Sequence, residues 1–69
     1  MERRYGEGLT ATEIVIADLA AHGKRDDEIA AELGLGAGTV ASHLGRIYRK
    51  LGIRSRAELV ASREKAESR

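Results

Sequence analysis

The apolar residues of this chain recur at helical intervals in four separate runs. Val40, Leu44, Ile47 and Leu51 follow the i, i+4, i+7, i+11 spacing that places side chains on one stripe of a helix, and Gly52 closes that run. Ile16, Leu19 and Ala20 make an earlier stripe, preceded by Thr10 and Glu13 at the spacing of a capping box and followed by Gly23 as a left-handed stop. Leu9 and Ile14 stand where a hydrophobic staple would bridge that cap. In "DDEIAAELG" three acids lie where the helix dipole favours anions, Ile29, Ala30 and Leu33 form the apolar face, and Gly34 ends the pattern. A last run opens at Ser55 and Glu58, again with capping-box spacing, leads with Leu59 and Val60, and passes into the polar "REKAESR". The chain holds no proline and no strand-like alternation. The pattern predicts an all-α domain of four helices at about 11–22, 27–33, 37–51 and 56–64, with a disordered arm over about 1–8 and a frayed tail over about 65–69.

Length and composition narrow what such a domain can do. Sixty-nine residues give one small domain, which buries only about 60% of its unfolded surface and leaves no room for an ordinary enzyme core. With no cysteine there is neither a disulfide framework nor a thiolate metal site, and only His22 and His43 offer imidazole. No cofactor or metal is expected. The longest strongly apolar run, "IVIA", is far short of the roughly 20 residues that span a bilayer, and "MERRYGEG" lacks the apolar core of a signal peptide. The reading is a soluble cytoplasmic protein.

Charge is distributed unevenly. Residues 1–35 carry eight Asp or Glu against four Lys or Arg, whereas residues 36–69 carry eight Lys or Arg against three acids. Between Gly36 and Ala57 there are five basic residues and no acid. A basic half of this kind points to a polyanionic partner.

Gly34, Gly36 and Gly38 raise the question of a phosphate-cradling nucleotide loop. A dinucleotide fingerprint needs a strand before its glycines, and here a charged helix precedes them; Gly38 is followed by Thr39, not by the Lys and Ser/Thr pair of a P-loop. What remains is two helices joined by a short glycine-containing turn, the second longer and basic on its outer face, which is a helix-turn-helix. Opposite the apolar stripe of this third helix lie Gly38, Ser42, Gly45, Arg46 and Arg49, with Thr39 and Lys50 on the flank. Thr39, Arg46, Arg49, Lys50, Arg54 and Arg56 are the expected phosphate contacts, and Ala41, Ser42 and Gly45 the expected groove-facing surface.

Together "LTATEIVIADLAAHG", "EIAAELG" and "TVASHLGRIYRKLGIRSRAELV" resemble the LuxR-type helix-turn-helix domain found at the C-terminus of bacterial transcription regulators. The resemblance covers about residues 9–63 without a gap, and "HLGRIYRKLGIRSRAEL" is most similar to the large multidomain members. It implies a four-helix domain that binds double-stranded promoter DNA with its third helix in the major groove. It further implies pairing as a homodimer through the fourth helix, and control by a fused or partner sensor domain. Ala57, Leu59, Val60 and Ala61 are then the dimer surface.

Several positions depart from that pattern. Arg25 and Asp26 stand where the family has Ser and Asn, so Asp26 is expected to cap the second helix, and Gly36 replaces a capping Ser. Ala41 and Gly45 replace long polar side chains that reach bases or phosphates, which leaves little base-reading chemistry beyond a thymine-methyl contact from Ala41. His43 reads as a half-buried packing residue able to donate to a phosphate, and Tyr48 as either a core-edge ring or a phosphate contact. Two other readings are open: a sigma-factor promoter-recognition domain, disfavoured by the "LGIRSRAELV" extension, and a degenerate helix-turn-helix that holds a protein partner.

Overall fold

The computed structural model describes residues 8–67, with side chains described as far as residue 64. It contains four helices and, among the described residues, no strand: α1 (Ala11–Ala21), α2 (Asp26–Leu33), α3 (Ala37–Leu51) and α4 (Arg56–Glu67). The all-α, four-helix architecture read from the pattern is the one observed. Residues 1–7 of the expected arm and 68–69 of the expected tail lie outside the described residues.

Local chemistry sets most of the boundaries. At the start of α1 the Glu13 amide donates to Thr10 Oγ1 at 3.1 Å, and the Thr10 amide donates to Glu13 Oε1 at 2.9 Å, completing the capping box. α2 and α3 both end on a glycine at φ +72°, a left-handed backbone that suits Gly34 and Gly52. The residue after each glycine folds back: the Leu35 amide donates to the Ala30 carbonyl and the Ile53 amide to the Tyr48 carbonyl, both at 2.9 Å. Leu35 and Ile53 then pack against the core, so each helix stop also contributes an apolar contact.

Three boundaries differ from expectation, and the first only by one residue: α1 ends at Ala21 with His22 as its C-cap. α2 begins at Asp26, with Arg25 and not Asp26 as the capping residue. Arg25 has no acceptor to offer, so only the reciprocal half of a box forms, in which Glu28 Oε1 accepts from the Arg25 amide at 2.8 Å. Asp27 Oδ1 takes the Glu28 amide at 2.9 Å, and the Asp26 carboxylate is drawn away to Arg56. α4 runs to Glu67, beyond the expected end near residue 64. No glycine or proline stops it there, and Glu and Ala have high helix propensity.

The core is formed by Ile16, Ala17 and Ala20 of α1, Ile29 and Ala30 of α2, Val40, Leu44 and Ile47 of α3, and Leu59 of α4. α1 is the central element, packed against each of the other three, while α2 rests on α3 to form the helix-turn-helix. This arrangement leaves the face of α3 opposite its apolar stripe in solvent. On α1, Ile14 (41% exposed) and Val15 (45%) also face outward, so Ile14 is only partly covered at the position expected of a staple. Among the described residues no helix is long and apolar enough to cross a membrane.

Candidate nucleic-acid interface

α3 owes its exposed surface to residue size as much as to charge. Thr39, Ala41, Ser42, Arg46 and Arg49 are exposed, as the helical angle requires, and Gly45 on the same face is half-buried. A Cβ added at Gly38 or Gly45 would meet nothing within 4 Å. Neither glycine is therefore needed for packing, and together they leave bare backbone along the outer face. The amino end of α3 is also bare: Gly36 supplies no capping side chain, so the first-turn amides are met by none. Such amides, at the positive end of a 15-residue helix, suit an anion.

The expected phosphate contacts separate into two groups. Lys50 Nζ donates to Glu13 Oε1 at 2.7 Å, and Glu13 is only 2% exposed. The Lys50 hydrogen bond, then the Thr10 amide, hold the Glu13 carboxyl below the usual carboxylate range against the opposing effect of burial, with the charges of Lys50 and Arg46 adding to the lowering. Arg56 is likewise engaged, its guanidinium donating to Asp26 Oδ1 at 2.6 Å and to the Lys24 carbonyl at 2.5 Å. Arg46, Arg49 and Arg54 are exposed, and none has an ion pair with an acid among the described residues. Arg54 stands in the turn before α4, where its backbone amide is fixed by Glu58 Oε1 at 2.7 Å. Three cations thus surround a face of small residues.

A third internal pair joins Arg63 Nε of α4 to Asp18 Oδ1 of α1 at 2.6 Å. Lys50, Arg56 and Arg63 all belong to the basic half of the chain, and Glu13, Asp26 and Asp18 to the acidic half. Part of the charge asymmetry is therefore an internal complement that ties the helices together. Sequence reasoning assigned Glu13 only to a cap and missed its second role. No local pattern announces a partner 37 residues away; the available sign was an acid on the otherwise apolar side of α1, next to Ile16 and Ala17.

On α4, Leu59 is fully buried in the core. Ala57 and Ala61 are exposed and Val60 is half-buried, so the outward surface of this helix is made from these three without Leu59.

Residues 7–62 match the model of the family described as bacterial regulatory proteins, luxR family. A protein of Aeromonas salmonicida described as an HTH-type transcriptional regulator in the exeN 3′ region is 46% identical over 54 residues, which cover 78% of this chain and 28% of that protein. The transcriptional regulatory protein DesR of Bacillus subtilis is 40% identical over 68 residues, covering 94% of this chain and 34% of the relative. The chain spans about a third of the length of these relatives or less. No solved structure matches it significantly.

Proposed function

The chain belongs to the luxR family of bacterial regulatory proteins, a helix-turn-helix module and not an enzyme, and from that premise we propose that it docks α3 in the major groove of double-stranded DNA to regulate transcription. The observation that carries this reading is the set of three exposed arginines, Arg46, Arg49 and Arg54, which make no ion pair among the described residues, beside the bare face of α3. Arg46, Arg49, Arg54, Thr39 and the open amides of α3 hold phosphates, while Ala41, Ser42 and Gly45 lie against the groove. Lys50 and Arg56 hold the helices in register instead of touching DNA. Ala57, Val60 and Ala61 form a small surface for a second copy, and control comes from a sensor domain, fused or separate.

With Ser42 as the one polar side chain in the centre of the groove-facing surface, the charge term dominates. A bidentate base contact is worth about 1–3 kcal/mol of discrimination, and this helix lacks such a side chain there. The domain binds DNA with little regard to sequence, and promoter choice comes from pairing, DNA shape or other domains. A random 20-base-pair duplex titrated at rising salt tests the reading: affinity for DNA falls steeply as salt rises. Binding that does not occur even at low salt overturns it and favours the second reading, a protein-holding module, to which the exposed Ile14 and Val15 are suited.

A further inference from the structure

His43 differs from the other histidine of the chain in how its ring nitrogens are placed. His22 Nδ1 lies 2.8 Å from the Asp18 carbonyl one turn earlier, an acceptor that fixes its proton on Nδ1. His43 sits one position before the core residue Leu44 and is half-buried, and its Nδ1 is enclosed with no hydrogen-bond partner. Nε2 is the ring nitrogen left at the surface. A proton on Nδ1 would bury a donor without an acceptor, whereas a proton on Nε2 is free to meet solvent or a ligand.

Helical spacing places that surface nitrogen in a row. Thr39, His43 and Arg46 follow i, i+4, i+7 on the edge of α3 between its apolar stripe and its outer face, with neighbours about 5–6 Å apart. Thr39 and Arg46 are both exposed. The row offers a hydroxyl, an imidazole N–H and a guanidinium, and no carboxylate. A ligand that only accepts hydrogen bonds, extended along the helix edge, matches it; a nucleic-acid phosphate backbone is such a ligand.

Resting on the DNA-binding reading above, we propose that His43 donates a hydrogen bond from Nε2 to a DNA phosphate, its tautomer fixed by the enclosure of Nδ1. The contact adds affinity without a cationic charge, so it is independent of the counterion release that governs the arginine contacts.

Two measurements test this. A nitrogen-proton correlation spectrum of the imidazole rings in the free wild-type domain, at about pH 8 where imidazole is ordinarily neutral, shows His43 protonated on Nε2 and His22 on Nδ1. A proton on His43 Nδ1 overturns the proposal. Binding of a random duplex at the same pH then compares His43→Gln, whose amide can place an N–H near the Nε2 position, with His43→Leu, each checked for cooperative melting. The Leu variant binds about tenfold more weakly, as for one lost hydrogen bond to a charged group, the Gln variant stays within about threefold of wild type, and all three share one salt slope. A folded Leu variant that binds like wild type, or a Gln variant as weak as Leu, overturns the role of His43 while leaving DNA binding intact. A wild-type domain that does not bind DNA defeats the underlying reading instead, and the proposal with it.

Discussion

Glu13 joins two helices through one carboxylate: it closes the cap of α1, accepts from Lys50 of α3, and lies almost fully inside the protein. Its carboxyl is held below the ordinary value of 4.5 by the Lys50 hydrogen bond first and the Thr10 amide second. A carboxyl with a lowered folded-state pKa contributes stability above its unfolded value and loses it as pH falls through the folded one. Thermal melts between about pH 5 and pH 3 should therefore show the wild type losing stability more steeply than Glu13→Gln, which starts lower and has no such proton to take up. Parallel curves for the two proteins would remove Glu13 from the acid response. Gly45 gives the opposite kind of prediction. A Cβ there meets nothing, so Gly45→Lys removes a helix-interior glycine at no steric cost. It should raise stability by about 0.5–1 kcal/mol, a few degrees in Tm for a domain of this size. The added cation should also tighten DNA binding and steepen the salt slope by about 0.9; calorimetry and a salt titration read the two effects separately.

The helices themselves were mostly legible because their signals are local. The Thr10–Glu13 box and the left-handed glycines after α2 and α3 lie within a turn of what they control. The outer face of α3 follows from periodicity in the same way. What a linear pattern does not carry is the pairing between helices. Asp26 reads as a cap beside Arg25, yet Arg56, 30 residues on, claims its carboxylate. Leu59 and Val60 are adjacent apolar residues, and only the angle at which α4 packs sends Leu59 inward and leaves Val60 at the edge. The same cross-helix contact divides cations that look alike in sequence. Arg56→Ala should cost about 1–2 kcal/mol by removing charged hydrogen bonds in a half-exposed setting, and leave the salt slope of DNA binding unchanged. Arg54→Ala should leave stability within about 0.5 kcal/mol and lower the slope by about 0.9. Denaturant melts and salt titrations on the two variants check the crossing; a slope that falls in Arg56→Ala returns that residue to the DNA surface.

At the scale of the molecule, the internal complement limits how much charge remains for a polyanion. Five cations lie between Gly36 and Ala57, and if all met phosphates the slope of log K against log salt would be about −4.5 per domain. With Lys50 and Arg56 committed to Glu13 and Asp26, the three exposed arginines give about −2.7. On the DNA-binding reading proposed above, a single domain with so few phosphate contacts and little base reading binds weakly, and pairing raises its affinity. The pairing surface proposed on the described part of α4 is Ala57, Val60 and Ala61, three residues against the roughly 20–30 a side of a stable interface. The free domain should then sediment as a monomer at micromolar concentration and pair only where two DNA half-sites raise its effective concentration. The molecule measures 35 × 20 × 19 Å, so two copies in contact have centres between about 19 and 35 Å apart, or about 6 to 10 base pairs at 3.4 Å per step. Random-sequence duplexes of graded length, which set the spacing open to two domains, should bind two of them cooperatively once that spacing is reached, with a slope near −5.4, and one below it. A stable dimer without DNA, or cooperativity that ignores spacing, would show that the copies meet through a larger surface than α4 presents.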